Sequence, residues 1–138
     1  MNGGQTLGDP LHTPPVFRVL VADDQPHIRR VLTTLLSKAG YAVDEAEDGT
    51  TALELWRAGE PYDVVLLDLI MPGATGMQVL EEIRAGEHGV HTPVLILTAK
   101  GEEADRKAAF ASGADDFMTK PFSPKKLVAR LEEILESR

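Results

Sequence analysis

The sequence predicts a doubly wound α/β domain, in which a five-stranded parallel sheet carries helices on both faces. Short apolar runs alternate five times with segments of helical spacing, which is the pattern of repeated strand–helix–strand units. Residues 64–67 and 94–97 are apolar at every position, as strands covered on both faces are. With 138 residues, 43% of them hydrophobic and 26% charged, the chain has the size and composition of one globular domain.

The individual elements follow from local sequence signals. The five apolar runs predicted as strands cover 17–22, 41–45, 63–68, 93–98 and 116–119. The first helix is expected to begin at Pro26 and to end at Gly40, because proline favours the first helical turn and glycine the position after the last. Ser123 as N-cap and Pro124 in the first turn open the last helix. Three shorter helices are predicted near 52–56, 77–83 and 104–111.

Composition and charge exclude several classes of protein. The chain has no cysteine, which excludes a disulfide framework, a thiolate metal site and a cysteine nucleophile. Its net charge of −8 disfavours binding to nucleic acid or to an anionic membrane surface, and no apolar run approaches the ~20 residues of a membrane span. Residues 1–15 lack a secretory signal and are predicted to be a flexible lead-in to a domain at 16–138. We therefore expect a cytoplasmic protein.

Polar side chains stand at the predicted strand ends. Asp23 and Asp24 follow the first strand, Asp68 and Thr98 end the third and fourth, and Lys120 follows the fifth. In a parallel sheet these residues converge on one edge, where ligands of doubly wound folds bind. Three carboxylates so close together need a counter-charge, and Mg²⁺ is the hard cation that suits oxygen ligands. An aspartate in such a site can form an acyl phosphate, assisted by the metal and the lysine.

Each of these residues also has an ordinary structural explanation. An Asp-Asp pair after a strand is often a helix N-cap, and a lone Asp68, a strand-end Thr98 or a Lys-Pro loop indicates little by itself. Their joint occurrence, in order and at the ends of the strands that meet at a switch point, favours a functional site.

These residues resemble the receiver domain of bacterial two-component response regulators. The resemblance extends over residues 16–137 and rests on four motifs in order. The motifs are Val19-Leu20-Val21-Ala22-Asp23-Asp24, Asp68-Leu69-Ile70-Met71-Pro72 with Gly76, Thr98-Ala99, and Lys120-Pro121-Phe122. The resemblance implies the flavodoxin-like strand order 2-1-3-4-5, for which the chemotaxis receiver is a standard example.

The resemblance also implies a role for each site residue. Asp68 would be the phosphoacceptor and would receive its phosphoryl group from a sensor histidine kinase or from a small donor such as acetyl phosphate. Asp24 would bind Mg²⁺ directly, Asp23 largely through water, and the backbone carbonyl of Ile70 would complete the protein ligands. Lys120 would pair with the phosphoryl group, and the peptide bond that follows it would be cis. Such a domain is a phosphoacceptor that assists its own phosphorylation and dephosphorylation rather than an enzyme.

A switch is implied as well. Thr98 would move toward the new phosphoryl oxygen, and Phe117 would move inward into the space that Thr98 vacates. The output surface would be the face formed by the fourth helix, fifth strand and fifth helix, which would control a downstream protein or effector domain. Phosphorylation would thus shift a two-state equilibrium toward the form that the partner binds.

The resemblance also implies that two variable positions bear on the lifetime of the phosphoryl group. Ile70 lies two residues after Asp68, and Lys100 lies two residues after Thr98. Since neither side chain can orient a hydrolytic water as an acid or an amide can, we expect slow autodephosphorylation.

The segments around 113–117 and 120–125 are similar to the winged-helix, DNA-binding subgroup of regulators, which dimerises through charge pairs on the output face. Asp116 with Arg130 could still form one such pair. Arg106 would face Lys126, which is repulsive, and the third pair of positions, Ser112 and Glu132, holds no opposite charges. We therefore expect a monomer or a weak, phosphorylation-dependent dimer.

The sequence is compatible with three classes of protein. The first is a receiver, which could stand alone or be the receiver part of a longer DNA-binding transcriptional regulator. An aspartyl-phosphate phosphohydrolase is disfavoured, because Ile70 stands where such enzymes carry a second aspartate as general acid. A flavodoxin-like cofactor carrier is disfavoured because acidic strand ends would repel a flavin phosphate, and because no phosphate-binding loop follows the first strand.

Overall fold

A parallel five-stranded sheet forms the centre of the molecule. The computed structural model describes residues 16–87 and 89–137, so the predicted lead-in at 1–15 lies outside the described residues. The strands are β1 (Arg18–Ala22), β2 (Ala42–Ala46), β3 (Val64–Leu67), β4 (Val94–Thr98) and β5 (Asp116–Thr119). Their spatial order is β2-β1-β3-β4-β5, with every neighbouring pair parallel. The predicted fold class and strand order are confirmed.

Five helices cover the two faces of the sheet. They are α1 (Pro26–Lys38), α2 (Gly49–Arg57), α3 (Gly76–Ala85), α4 (Glu103–Ala111) and α5 (Pro124–Glu136). Alternate residues of each central strand face opposite layers, and in β1 this places Leu20 in one buried cluster and Val19 and Val21 in the other. All positions of β3 and β4 are buried, as their uninterrupted apolar runs predict.

Helix ends follow the sequence signals at the first and last helix. Pro26 opens α1 and Gly40 follows its end with φ +96°, a backbone conformation that glycine adopts without strain. Ser123 caps α5 by accepting a hydrogen bond from the backbone N–H of Lys126. The second helix begins three residues earlier than predicted, because the side chain of Asp48 accepts from Thr51 N–H and supports a first turn of weak helix formers.

The strand order places the site. The chain leaves β1 toward β2 on one side and reaches β3 on the other, so the carboxyl ends of β1 and β3 lie side by side at the switch point. Backbone hydrogen bonds continue the ladder past both strand ends. Asp23 N–H donates to Ala46 C=O at 3.0 Å, and Asp68 N–H donates to Ala22 C=O at 3.0 Å. Both aspartates are therefore held by backbone contacts on the rigid part of the fold.

Within the described part of the chain, none of the helices has both the length and the apolar character that crossing a bilayer requires.

Candidate functional site

Three carboxylates meet at the carboxyl edge of the sheet. Asp23, Asp24 and Asp68 each offer an oxygen atom, and these oxygens lie within 4.8 Å of one another. Asp23 and Asp68 are only 2% and 4% exposed. The N-cap explanation for the Asp-Asp pair is wrong, because Gln25 is the N-cap of α1 and no side chain caps that helix. The side chains of Asp23 and Asp24 therefore belong to the carboxylate cluster and not to the helix cap.

Lys120 supplies the counter-charge inside this pocket. Its Nζ lies 2.6 Å from Asp23 Oδ2 and 2.8 Å from Asp68 Oδ2, and its side chain is 8% exposed. The Lys120–Pro121 peptide bond is cis, as the resemblance implies. The backbone N–H of Lys120 donates to Thr98 C=O at 2.9 Å, which fixes this residue against the end of β4. The predicted convergence of carboxylates and lysine is therefore present in the structure.

Burial and pairing perturb the ionisation of two of these groups. Burial raises the pKa of Asp23, although the hydrogen bonds from Lys120 and from the backbone of Gln25 act in the opposite direction. Burial alone would lower the pKa of Lys120, but its hydrogen bonds to Asp23 and Asp68 outweigh this effect and raise it. The lysine therefore remains a cation at neutral pH, opposite two buried carboxylates.

The loop after β3 orients the carboxylate of Asp68. Ile70 N–H donates to Asp68 Oδ1 at 3.1 Å, while Lys120 holds Oδ2. The side chain of Ile70 is 54% exposed. Gly76 at the start of α3 packs so closely on this loop that an added Cβ would lie 2.2 Å from the Asp68 carbonyl oxygen. One oxygen of Asp68 is thus bound by a backbone amide and the other by an ammonium group.

Thr98 and Lys100 lie at the end of β4. Thr98 is fully buried, and its Oγ1 accepts from Lys100 N–H at 3.1 Å. The Lys100 ammonium pairs with Asp105 of α4 at 3.3 Å. The loop between β4 and α4 is therefore tied to both elements that flank it.

Phe117 is buried in this structure. Its ring is 5% exposed and belongs to the same buried cluster as Ile96 and Ala109. The Arg106 guanidinium lies 5.7 Å from its centroid and covers it from outside. Thr98 is buried as well. The movement of Thr98 and Phe117 on phosphorylation therefore stays a prediction.

The donor set fits a hard divalent cation. Carboxylate and carbonyl oxygens are the ligands that Mg²⁺ takes in proteins, usually one or two carboxylates together with water and phosphate oxygens. Asp23, Asp24 and Asp68 bring three carboxylates within reach of one such ion. Lys120 already pairs with carboxylate oxygens of Asp23 and Asp68, so one internal cation offsets part of the negative charge of the pocket.

Two residues at the site had not been singled out from the sequence. Gln25 accepts a hydrogen bond from Lys120 Nζ at 2.8 Å through Oε1, a contact between positions 95 residues apart. Arg29 donates to the backbone carbonyl of Asp23 at 2.8 Å and pairs with Glu45 at 3.4 Å. The only sequence signal for Gln25 is its place directly after the Asp-Asp pair.

Fold and site together define a class. A doubly wound sheet in the order 2-1-3-4-5, with an acidic pocket and an inward lysine at its switch point, is the arrangement of a receiver domain. The family model for the response regulator receiver domain matches residues 19–132. The chain belongs to this family.

Curated relatives and solved structures agree with this assignment. The chain is 45% identical over 118 residues to the transcriptional regulatory protein ResD of Bacillus subtilis (strain 168), covering 86% of this chain and 48% of ResD. It is 40% identical over 119 residues to the phosphate regulon transcriptional regulatory protein PhoB of Escherichia coli (strain K12), covering 86% of this chain and 51% of PhoB. The chain thus spans about half the length of these relatives.

Two similar structures are chemotaxis and kinase receivers. Chemotaxis protein CheY4 of Vibrio cholerae matches with a TM-score of 0.82 at 32% identity, covering 88% of this chain and all (100%) of that one. The receiver domain of sensor histidine kinase PA1611 from Pseudomonas aeruginosa PAO1 matches with a TM-score of 0.80 at 30% identity, covering 88% and 99%. That structure has a magnesium ion coordinated in the active site cleft.

Proposed function

We propose that Asp68 of this receiver domain accepts a phosphoryl group in a reaction that depends on Mg²⁺. The observation that carries the proposal is the buried carboxylate of Asp68, held 2.8 Å from the Lys120 ammonium beside two further aspartates. The donor is the phosphohistidine of a sensor histidine kinase or a small acyl phosphate. The domain is thereby a signalling component of the cytoplasm.

The residues divide the work between metal binding and charge neutralisation. Asp24, Asp23 and Asp68, with the backbone carbonyl of Ile70, would hold Mg²⁺, which supplies neutralisation of the phosphoryl oxygens when bound. Lys120 neutralises a further phosphoryl oxygen as a point charge on a flexible stem. The Ile70 amide holds Oδ1 of Asp68 at 3.1 Å and so limits rotation of the carboxylate.

Transfer of the phosphoryl group to Asp68 needs no reactant other than the phosphodonor. A carboxylate oxygen of Asp68 forms the new bond to phosphorus, and the bond from phosphorus to the donor breaks. The donor leaves with the electron pair, as the imidazole of histidine or as acetate from acetyl phosphate. Catalysis is mainly positioning and electrostatic stabilisation, which the buried pocket provides.

Thr98 couples the new group to the rest of the fold. Its hydroxyl bonds Lys100 N–H, and a phosphoryl oxygen on Asp68 would compete for it. A shift of Thr98 would change the packing around Phe117, whose ring lies in the buried cluster beneath α4. The face of α4, β5 and α5 would then present a different surface to a downstream protein or effector domain.

Incubation with acetyl phosphate and Mg²⁺, followed by intact mass measurement, tests the proposal. The protein should gain one phosphate, and Asp68→Asn should gain none because it lacks the attacking carboxylate. Asp116→Asn is the matched control, since Asp116 lies at the amino end of β5, away from the pocket, and pairs with Arg130. Chelation of the metal should abolish the gain. Phosphorylation of Asp68→Asn to the same extent, or a gain without metal, would contradict the proposal.

A further inference from the structure

The side chain of Gln25 completes the coordination of the Lys120 ammonium. An ammonium group has three N–H donors, and three acceptor atoms lie within 2.8 Å of Lys120 Nζ. The acceptors are Asp23 Oδ2 at 2.6 Å, Asp68 Oδ2 at 2.8 Å and Gln25 Oε1 at 2.8 Å. Gln25 is thus the neutral member of the three groups that hold the lysine between two carboxylates.

The place of Gln25 in the fold leaves its amide available for this contact. Gln25 is the N-cap residue of α1, with φ −86° and ψ 110°, but its side chain makes no capping hydrogen bond. Serine, threonine, asparagine or aspartate would usually cap the helix from this position. The longer glutamine side chain reaches Lys120 instead, while its backbone N–H donates to Asp23 Oδ1 at 2.9 Å.

The two charged acceptors of Lys120 are also two of the carboxylates that would hold the metal. A metal ion held by Asp23 and Asp68 would share these carboxylates with the ammonium group of Lys120, and two neighbouring cations in a buried site repel each other. Metal binding would therefore favour movement of the ammonium group away from its present position. Every contact that stabilises this position opposes the metal.

We propose that Gln25 is a positioning residue that lowers the Mg²⁺ affinity of the site by holding Lys120 in a position that excludes the metal. Because Gln25 is uncharged, its contact holds the ammonium group without adding negative charge that would attract the metal. The inference rests on the proposed function, since it assigns the same carboxylates to the metal. It concerns metal affinity and is measured without any phosphodonor.

Calorimetric titration of the protein with MgCl₂ tests the inference. Gln25→Met keeps the side-chain volume close to that of glutamine and removes the acceptor, so it should bind Mg²⁺ about fivefold more tightly than the unaltered protein, as expected for loss of one hydrogen bond. The same substitution at Gln78 is the matched control. The Gln78 amide bonds the backbone of Thr75 at the start of α3 and no residue of the pocket, so Mg²⁺ affinity should stay unchanged.

The lysine itself distinguishes positioning from a general structural effect. Lys120→Met should increase Mg²⁺ affinity more than Gln25→Met does, and adding Gln25→Met to it should give no further gain. Melting of each variant in chelator verifies that it is folded. Equal affinities of Gln25→Met and the unaltered protein would overturn the inference. An undiminished gain in the Lys120→Met background would also overturn it, because Gln25 would then act independently of the lysine.

The result of the Mg²⁺ titration is independent of the result of the phosphorylation experiment. A protein that binds Mg²⁺ more tightly after Gln25→Met, yet takes no phosphate from acetyl phosphate, would retain the inference and refute the phosphoacceptor role. If the protein is phosphorylated normally and Gln25→Met leaves the Mg²⁺ affinity unchanged, the phosphoacceptor role is retained and the inference about Gln25 is refuted. Absence of any Mg²⁺ binding would refute both.

Discussion

Arg130 of α5 and Asp116 of β5 form an ion pair within one chain, from the Arg130 Nε to the Asp116 Oδ2. From the sequence, these two residues are expected to be able to form a charge pair between two copies of the receiver. Since the guanidinium and the carboxylate already satisfy each other, an intermolecular exchange of this pair would gain little.

We expect no stable dimer through the face of α4, β5 and α5. If two copies met as in the winged-helix subgroup, Arg106 would face Lys126, and like charges disfavour an interface. Sedimentation of the beryllofluoride-treated protein should show a monomer or a weak dimer. Lys126→Glu should strengthen association by replacing the repulsion with an attraction. A tight dimer of the unaltered protein would contradict the expectation.

The phosphoryl group on Asp68 is predicted to be long-lived, with a half-life of minutes or longer in excess Mg²⁺. The Ile70 side chain carries no group that orients a water molecule, and Lys100 is paired with Asp105 at 3.3 Å. The decay of the phosphorylated mass with time measures the lifetime. Ile70→Asn should shorten it by supplying an amide for the water. Decay of the unaltered protein within seconds would show that another group orients the water.

Arg84 is predicted to be a main determinant of stability. Its guanidinium donates to the backbone carbonyls of Gly89, Thr92 and Gly113 and pairs with Asp115 at 2.8 Å, with 18% of the side chain exposed. Arg84→Met leaves these carbonyls without their donor and should lower the free energy of unfolding by ~2–4 kcal/mol in urea titrations.

The matched control for Arg84 is Arg57, which forms a bidentate pair with Glu82 on the surface and is 58% exposed. Arg57→Met should lower the free energy of unfolding far less than Arg84→Met does, because exposed ion pairs contribute little. Similar losses for the two variants would contradict the role assigned to the backbone contacts of Arg84.

The hydroxyl of Tyr62 should have a pKa well above that of a free tyrosine. Burial, followed by the hydrogen bond that its hydroxyl donates to Asp44 at 2.6 Å, raises the pKa of Tyr62 from 10.0 to about 12. Because the folded protein holds this proton more tightly than the unfolded chain, the resulting stability is complete below about pH 10 and is lost as the pH rises through 12.

Tyrosinate absorbance against pH measures this shift. The chain has two tyrosines, so Tyr62→Phe should remove the later of two transitions and leave that of Tyr41, whose pKa is also raised by burial. In urea both tyrosines should titrate near pH 10. A transition of Tyr62 near pH 10 in the folded protein would show that its hydroxyl is solvated.

Gly76 is predicted to be required for the shape of the pocket. A Cβ at this position would lie 2.2 Å from the Asp68 carbonyl oxygen and 2.6 Å from Leu69 Cα, both of them backbone atoms. Gly76→Ala should therefore displace the loop after Asp68, lower the stability by ~1–3 kcal/mol and slow phosphorylation. Gly86→Ala is the control, because a Cβ there meets no atom within 4 Å. Normal phosphorylation of Gly76→Ala would contradict the prediction.

The sequence predicted the parts of the fold that local patterns determine. Apolar runs such as 64–67 identify buried strands because both faces of a central parallel strand are covered. The edges of elements were less well predicted. The second helix begins at Gly49 rather than near Ala52, since its first turn depends on the cap contact of Asp48. Such contacts outweigh the low helix propensity of glycine and threonine.

The sequence also indicated which carboxylates and which lysine meet, because parallel strands bring their carboxyl ends to one edge. It could not indicate Gln25, whose partner is 95 residues away and whose residue type is common on surfaces. It could not indicate Arg84 either, because most of its acceptors are backbone carbonyls that carry no sequence signature. It could not indicate that Phe117 is only 5% exposed, because the burial of a strand residue near the sheet edge is a property of the packed fold.

The pocket takes its side chains from the ends of β1, β3 and β4 and from the residue just past β5. During synthesis on the ribosome, the three aspartates are made before Lys120, so the cation of the pocket is added last. Only docking of the last strand beside β4 brings that charge to the carboxylates. The pocket therefore reaches its full set of side chains only when the sheet is complete.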